Sequence, residues 1–419
     1  MSEWHEVSIA AIAKTVAGGP FGSSLGRKDY VAHGVPVIRG AQLSSDARFR
    51  LDDFVFVTEE KAERHRGNLA YPGDVIVTQR GTLGQVGMIP WDCPYPRLLL
   101  SQSQMKVTLD RSFADPHFLF YALAEPGNRQ RLIEHAITAG VPHINLATLR
   151  EFMVKVPNLQ TQQACVSVLS AIDDLIENNR RRIALLEQMA QAIYREWFVR
   201  FRYPGHEDDE LVDSPLGPIP AGWQLSPLFD EAEVSFGFPL KSQGFGPSGA
   251  LPVIRIRDIP KGSTSTHTDE FPGERYVVDT GDSLIGMDGD FHMSRWPAGR
   301  ALLNQRVARV RPTGCLGAEA LHWALQAPIK EWNQRIVGTT VAHLGKRHLE
   351  EIELVVPLRD KAQELNRTLD SLGVLSLELR RLVVLLESLR DLLLPKLVTG
   401  AIDVSHLDLD AMLADESAG

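Results

Sequence analysis

The sequence predicts an α+β fold: two similar heads at opposite ends of an antiparallel pair of long helices, related by an internal pseudo-two-fold repeat. Three observations point there. VPHINLATLREFMVKVP (141–157) recurs without a gap as VAHLGKRHLEEIELVVP (341–357), matching at Val141/Val341, His143/His343, Leu149/Leu349, Glu151/Glu351, Val156/Val356 and Pro157/Pro357. A long apolar heptad follows each copy. At 419 residues, the chain is too long for one typical domain.

The halves correspond element by element. Trp4 begins one head and Trp223 the other. GVPVIRGAQL (34–43) parallels ALPVIRIRDI (250–259), both apolar and strand-like. YPGDVIVTQRG (71–81) parallels VDTGDSLIGMDG (278–289), each a Gly-Asp turn leading into a strand. LLLSQSQMKVTL (98–109) parallels ALLNQRVARVRP (301–312). A helix is expected over 115–137 and over 317–337, with Asp115-Pro116 as N-cap and first helical residue of the former. Pro126 and Pro328 should kink or split these helices.

The helices after the heads share one register. Leu169, Ile172, Ile176, Asn179, Ile183, Leu186, Ala190, Ile193 and Trp197 alternate steps of three and four. Adding 200 gives Leu369, Leu372, Ser376, Leu379, Val383, Leu386, Arg390, Leu393 and Leu397. Each seam needs a partner, and the nearest matched one is the other seam. Pro395 should end or bend the second helix near Leu394. The expected divisions are a first head (1–158), a first helix (159–203), an acidic linker (204–222), a second head (223–358), a second helix (359–400) and an acidic tail (401–419).

Net charge is −9, but its location matters more than the total. EDDELVD (207–213) holds five acids and 401–419 five more, neither with a base, and both read as solvated segments. Without those ten acids, 44 basic residues face 43 acidic ones, so any nucleic-acid footprint is a local patch or is shared with a partner. Cys93, Cys165 and Cys315 share no metal-like spacing. The N-terminal MSEWHEVSIA does not read as a signal peptide, and no run is long enough to span a membrane, which suggests a cytoplasmic protein.

Catalytic motifs do not hold up. GSSLG (22–26) matches G-x-S-x-G, but PFG before it and RKDYVAHG after it read as loop, not as a strand–turn–helix elbow around Ser24. GTLGQVG (81–87) lacks the Lys-Ser/Thr of a phosphate loop and reads as a hairpin between strands. No H-E-x-x-H, C-x-x-C or EF-hand pattern occurs, nor the Asn/Asp-Pro-Pro-aromatic tetrapeptide of amino-group methyltransferases. The chain reads as one that holds and positions, with no catalytic residue, metal or cofactor of its own.

What the heads could grip is DNA. Arg and Lys suit guanine edges, Asn and Gln suit adenine, and Asp or Glu accepts from cytosine. The first head offers Lys28, Arg39, Gln42, Arg80, Thr82, Gln102, Ser103, His143 and Asn145. The second offers Lys241, Arg255, Arg257, Asp258, Asp288, Asp290, His292, Arg295, Gln305, Arg306, His343 and Lys346.

LSAIDDLIENNRRRIALLEQMAQAIYREWFVRF (169–201) resembles the central conserved region of type I restriction-modification specificity subunits. Asp173, Asp174, Ile176, Asn179, Arg181, Trp197, Phe198 and Phe201 carry the likeness. LGPIPAGWQLSPL (216–228) is similar to the opening of that family's second target-recognition domain, and LLLPKLVTGAIDV (392–404) to its distal ending. The resemblance implies two target-recognition domains, each reading half of a bipartite double-stranded DNA site. It implies that the paired helices set the spacer and dock two modification subunits. Those partners would bind S-adenosylmethionine and methylate adenine N6, and restriction subunits would bring ATP- and magnesium-dependent translocation and cleavage. GMDGDFHMSRW (286–296) differs from QRGTLGQVGMIPW (79–91), so the heads should read different half-sites. Two other readings stay open: a specificity subunit of a related complex outside type I, and a coiled-coil adaptor whose heads bind protein or glycan.

Overall fold

The computed structural model describes residues 4–43, 48–136, 142–336 and 342–404. Val141, Val341, the expected helix ends at Ile137 and Val337, and the acidic tail from residue 405 lie outside the described residues. The chain forms two compact units, residues 1–175 with 387–419 and residues 176–386. The cut falls inside both long helices, Leu159–Tyr194 and Arg359–Val398, so the helices are not separate domains. Each unit joins one head to one end of each helix.

In the first unit, one four-stranded sheet runs in the order Ala13–Gly18, Gln104–Leu109, Val75–Thr78, Val86–Met88, antiparallel throughout. The other runs Val55–Val57, Val35–Ile38, Leu98–Leu100, Leu69–Ala70, with a parallel middle pair. In the second unit the sheets are Ala232–Phe236, Val307–Pro312, Ser283–Gly286, Met293–Arg295 and His267–Thr268, Leu251–Ile254, Ala301–Leu303, Val277–Val278. Order and direction repeat, down to the parallel middle pair. The first and last strands of each head also pair: His5–Ser8 with Met153–Val156, and Gln224–Pro227 with Glu353–Val356. The sequence duplication is therefore a duplication of topology.

Local chemistry explains the shared turns. Asp74 Oδ2 accepts from the Tyr71 amide at 2.9 Å, and Asp282 Oδ2 accepts from the Asp279 amide at 2.8 Å. Each carboxylate is also paired across its sheet, Asp74 with Lys106 at 3.1 Å and Asp282 with Arg311 at 2.6 Å. Burying a carboxylate is tolerable because a cation and a backbone donor both face it. GTLGQVG forms no tight hairpin, since the loop between its strands spans 79–85. The Ser24 hydroxyl donates to the Phe21 carbonyl in a 3-10 turn, so no strand–helix elbow forms there.

The prolines behave differently from one another. The helix in the first head is split into Pro116–Ala124 and Pro126–Glu134. Asp115 caps the first piece through the amides of His117 and Phe118. The Glu125 carboxylate caps the second through the amides of Gly127 and Asn128. In the second head, Ala318–Arg335 continues through Pro328, so that proline does not split its helix in two. Ala327 precedes that proline and has no side-chain acceptor to start a new helix, whereas Glu125 does. Pro395 likewise does not end its helix, which continues to Val398. Leu394, Leu397 and Val398 are buried in the first unit's core. Burying three such side chains stabilises by about 5 kcal/mol, more than the roughly 3 kcal/mol of an interior proline.

The helix ends run antiparallel within each unit. In the first, Cys165 Sγ faces the Leu397 carbonyl at 3.5 Å and Arg390 meets Asp173 at 3.3 Å. In the second, Arg380 pairs with Glu187, and Lys361 lies 4.8 Å over the Tyr203 ring. The seam positions turn inward. Leu169, Ile172 and Leu397 are buried in the first unit, and Leu393 is half-buried. Ile176, Asn179, Ile183, Ala190, Leu369, Ser376, Leu379 and Val383 are buried in the second, with Leu186, Ile193, Trp197, Leu372 and Leu386 half-buried. The first helix gives way to a π-turn at Arg195–Val199, and a left-handed Phe201 (φ 55°) follows. Trp223 packs on Phe198, Phe201 and Tyr203 with centroids 5.2–5.5 Å away. The acidic linker is not simply solvated, because Asp209 binds Lys361 and the Tyr203 hydroxyl.

Two equivalent glycines test the duplication. A Cβ on Gly19 would lie 1.8 Å from the Ser101 carbonyl oxygen, and one on Gly237 would lie 1.8 Å from that of Asn304. Gly19→Ala and Gly237→Ala should each destabilise by about 3 kcal/mol in urea unfolding. Gly26→Ala, with nothing within 4 Å, should stay within about 0.5 kcal/mol of the parent.

Candidate nucleic-acid interface

In each head three loops are joined in the same way. In the first, the Gln79 amide donates to the Ser103 carbonyl at 2.8 Å, and the Ile144 amide donates to the Gln79 carbonyl at 3.0 Å. In the second, Met287 donates to Arg306 at 2.9 Å, and Leu344 donates to Met287 at 2.7 Å. Isolated bridges join Arg80 to His143 and Asp288 to His343. Arg80 thus corresponds to Asp288, Ser103 to Arg306, and His143 to His343. A fourth loop closes each cluster. The Gln102 amide group donates to the carbonyls of Gly22 and Leu25, while the Gln305 amide donates to Phe238 at 2.8 Å.

The frames match but the side chains differ. In the first head Arg80 and Thr82 are exposed, with His143 and Ser103 half-buried. In the second, Asp288 faces two partners: Oδ1 lies 2.6 Å from His343 Nδ1 and Oδ2 lies 3.3 Å from Arg306 Nε. Asp290, His292 and Gln305 are exposed around that cluster. Lys28, Lys241 and Arg257 are also exposed.

Other candidates are spent inside the fold. Gln42 and Asp258 are buried, and each accepts from the backbone amide three residues earlier, Arg39 at 2.9 Å and Arg255 at 3.0 Å. Arg39 pairs with Asp53 and Arg255 with Asp258, both at 3.1 Å. Asn145 caps the helix Leu146–Glu151 by accepting from Thr148. Lys346, by contrast, stays exposed, in a surface pair with Glu350 at 2.9 Å. Gln102 is tied to the neighbouring loop, as above. Sequence could not separate these from free donors, because Arg and Gln suit both a turn cap and a base edge. It also missed Phe21, 87% exposed beside the loop that Gln102 holds. Its place between Pro20 and Gly22, in a turn-rich stretch, is the signal that was there to read.

Arg295 belongs to a different place. It pairs with Glu319 at 2.7 Å on the wall of a polar cavity of about 190 Å³, also lined by Glu187, His322, Trp323 and Arg380. The Gln326 amide group lies 3.1 Å from His322 Nε2, which therefore accepts, and Nδ1 faces the Ser283 hydroxyl at 3.2 Å. Burial, then the charges of Arg295 and Arg380, push the imidazole down to about 3. In the first unit, Asp173 accepts from the Tyr121 hydroxyl at 2.7 Å and pairs with Arg390. Burial and then the Asp173 charge raise the Tyr121 phenol well above its ordinary value. The second head is tied to its long helix beside this cavity, where Asn366 and Asp370 accept from the amides of Gly317 and Glu319 at 2.8 and 2.9 Å.

Outside the buried seams, apolar side chains on the helices face solvent. In the second unit Leu185, Met189, Leu375, Leu382 and Leu385 are 42–59% exposed. In the first unit Leu175, Leu389 and Leu392 are 43–56% exposed. On the second helix these leucines follow heptad-like steps of seven, three, four and three. No helix among the described residues is long and apolar enough to cross a membrane.

Residues 1–188 match the family model described as the type I restriction modification DNA specificity domain. The chain is 22% identical to the MjaIX type I specificity subunit of Methanocaldococcus jannaschii, covering 97% of this chain and 95% of that one. It is 31% identical to the EcoBI specificity subunit of Escherichia coli over 48% of this chain and 44% of that one. Among solved structures, the type I S subunit from M. genitalium has the same fold, with a TM-score of 0.61 at 15% identity over 95% of this chain and 96% of that one.

His322 gives a signed pH effect. Its folded value lies below that of the unfolded chain, so the unfolded state binds the extra proton between about pH 6.5 and 3. Stability should fall with pH through that window. His322→Gln should remove roughly 1 kcal/mol of that loss per pH unit between pH 6 and 4, read from urea midpoints of variant and parent at matched pH.

Proposed function

We propose that this chain is a specificity subunit of a type I restriction-modification system and that each head reads one half of a bipartite double-stranded DNA site. The observation that carries this is the pair of loop clusters: one backbone frame built twice, with a different set of polar side chains on each copy. A shared frame with varied donors and acceptors suits two readers of two different base sequences. The exposed loop groups, Lys28, Arg80, Thr82, Lys241, Arg257, Asp290, His292, Gln305 and Arg306, are divided between base edges and phosphates. With the body of the chain near neutral, affinity comes from these local patches and from subunits that share the DNA.

The chain acts by positioning. Its long helices set the unread spacer. Their exposed leucines are the docking surface for two modification subunits, which bind S-adenosylmethionine and methylate adenine N6. Restriction subunits, driven by ATP with magnesium, join the same core. The assembly works in a prokaryotic cytoplasm. The apolar rows favour this reading over a free-standing DNA binder, since several leucines at heptad spacing on a solvated helix mark an interface.

The docking role has a direct test. Leu382→Glu with Leu385→Glu should leave the melting temperature within a few degrees of the parent, because both side chains already face solvent. The same pair should reduce recovery of co-expressed modification subunits on an affinity-tagged chain at least tenfold. Undiminished recovery would show that the helices dock elsewhere.

A further inference from the structure

Arg306 differs from its neighbours in backbone and in bracing. Its φ is 72°, a left-handed conformation shared, among the described non-glycine residues, only by Asp53 and Phe201. A long L side chain is strained there, and such strain persists only where the surroundings enforce it. Here the Met287 amide holds the Arg306 carbonyl, and the Val307 amide closes the turn onto the Asn304 carbonyl at 3.2 Å.

The side chain is held along one edge. Arg306 Nε lies 3.3 Å from Asp288 Oδ2, and the other carboxylate oxygen lies 2.6 Å from His343 Nδ1. So short a contact to a carboxylate places the proton on Nδ1. That nitrogen then has no lone pair for Arg306 Nη1, 3.2 Å away. The two terminal NH2 groups are left without an acceptor among the described residues, on a side chain 51% exposed. A guanidinium gripped at Nε with its fork free is prepared for a planar pair of acceptors, and guanine O6 and N7 form such a pair. A phosphate contact needs charge but no fixed plane. In the first head Ser103 stands at this position, and the arginine is Arg80, at the place of Asp288.

We infer that Arg306 makes the second head demand a guanine at one fixed position of its half-site, with Asp288 and His343 as positioning residues. This rests on the DNA-reading role proposed above. The test uses the full chain co-expressed with its modification subunits, with N6-methyladenine mapped across a genome by long-read sequencing. Arg306→Gly suits a φ of 72° and removes the fork without straining the turn. It should lower discrimination for guanine at one position of one half-site by roughly 5- to 150-fold, leaving the other half-site unchanged. Asp288→Asn, which weakens the brace, should loosen the same position to a smaller degree. A uniform fall in methylation with the motif intact would make Arg306 a phosphate contact and overturn the inference, as would no change in either variant. A parent chain that directs no bipartite motif would overturn the DNA-reading role itself, and this inference with it.

Discussion

Each head depends on a long-helix end packed into its core. The first head's sheet and its helix at Pro116–Ala124 are completed by Leu394, Leu397, Val398 and Val404 from the distal end of the chain. The second head is completed by Ala190, Phe198 and Tyr203, which precede it. Without these insertions each head would expose an apolar face of its core. Burial of the helix ends thus couples head to helix, and it is strong enough to carry the second helix through Pro395. Polar contacts then fix the join: Tyr121–Asp173–Arg390 in one unit, and in the other Asn366 and Asp370 of the second long helix, which accept from the amides of Gly317 and Glu319. They differ in residues but occupy the same kind of junction.

That coupling leaves the loop clusters separate from the scaffold that carries them. The strands of both heads follow one order and direction, and the loops are stitched by equivalent backbone hydrogen bonds. Backbone bonds do not depend on side-chain identity, so the loops can change their donors and acceptors without losing position. Arginine sits at position 80 in one head and 306 in the other, beside a histidine that occupies the same place in both. The two loop clusters share a backbone frame and differ in the side chains it presents.

Much of this was legible in sequence because it rests on periodicity and spacing. The heptad residues from Leu169 to Trp197 and from Leu369 to Leu397 announced the helices, and their inward positions are buried or half-buried, including Arg390, which pairs with Asp173. Asp115-Pro116 announced a capped helix, and the paired Gly-Asp turns announced matching strands. Tertiary effects were not legible. Pro328 and Pro395 look like breaks until capping and burial are known. Gln42, Asp258 and Arg295 look like free recognition groups until their partners within the head are seen. The exposed leucines of the second helix are spaced as regularly as the buried ones, so only the structure shows which row faces solvent among the described residues.

The most direct test of the central claim is a map of N6-methyladenine in a host lacking its own systems, with this chain and its modification subunit co-expressed. The account predicts a split motif: two short, different half-sites around an unread gap of fixed length, modified on both strands and absent without this chain. A stable complex that left no such motif would contradict it.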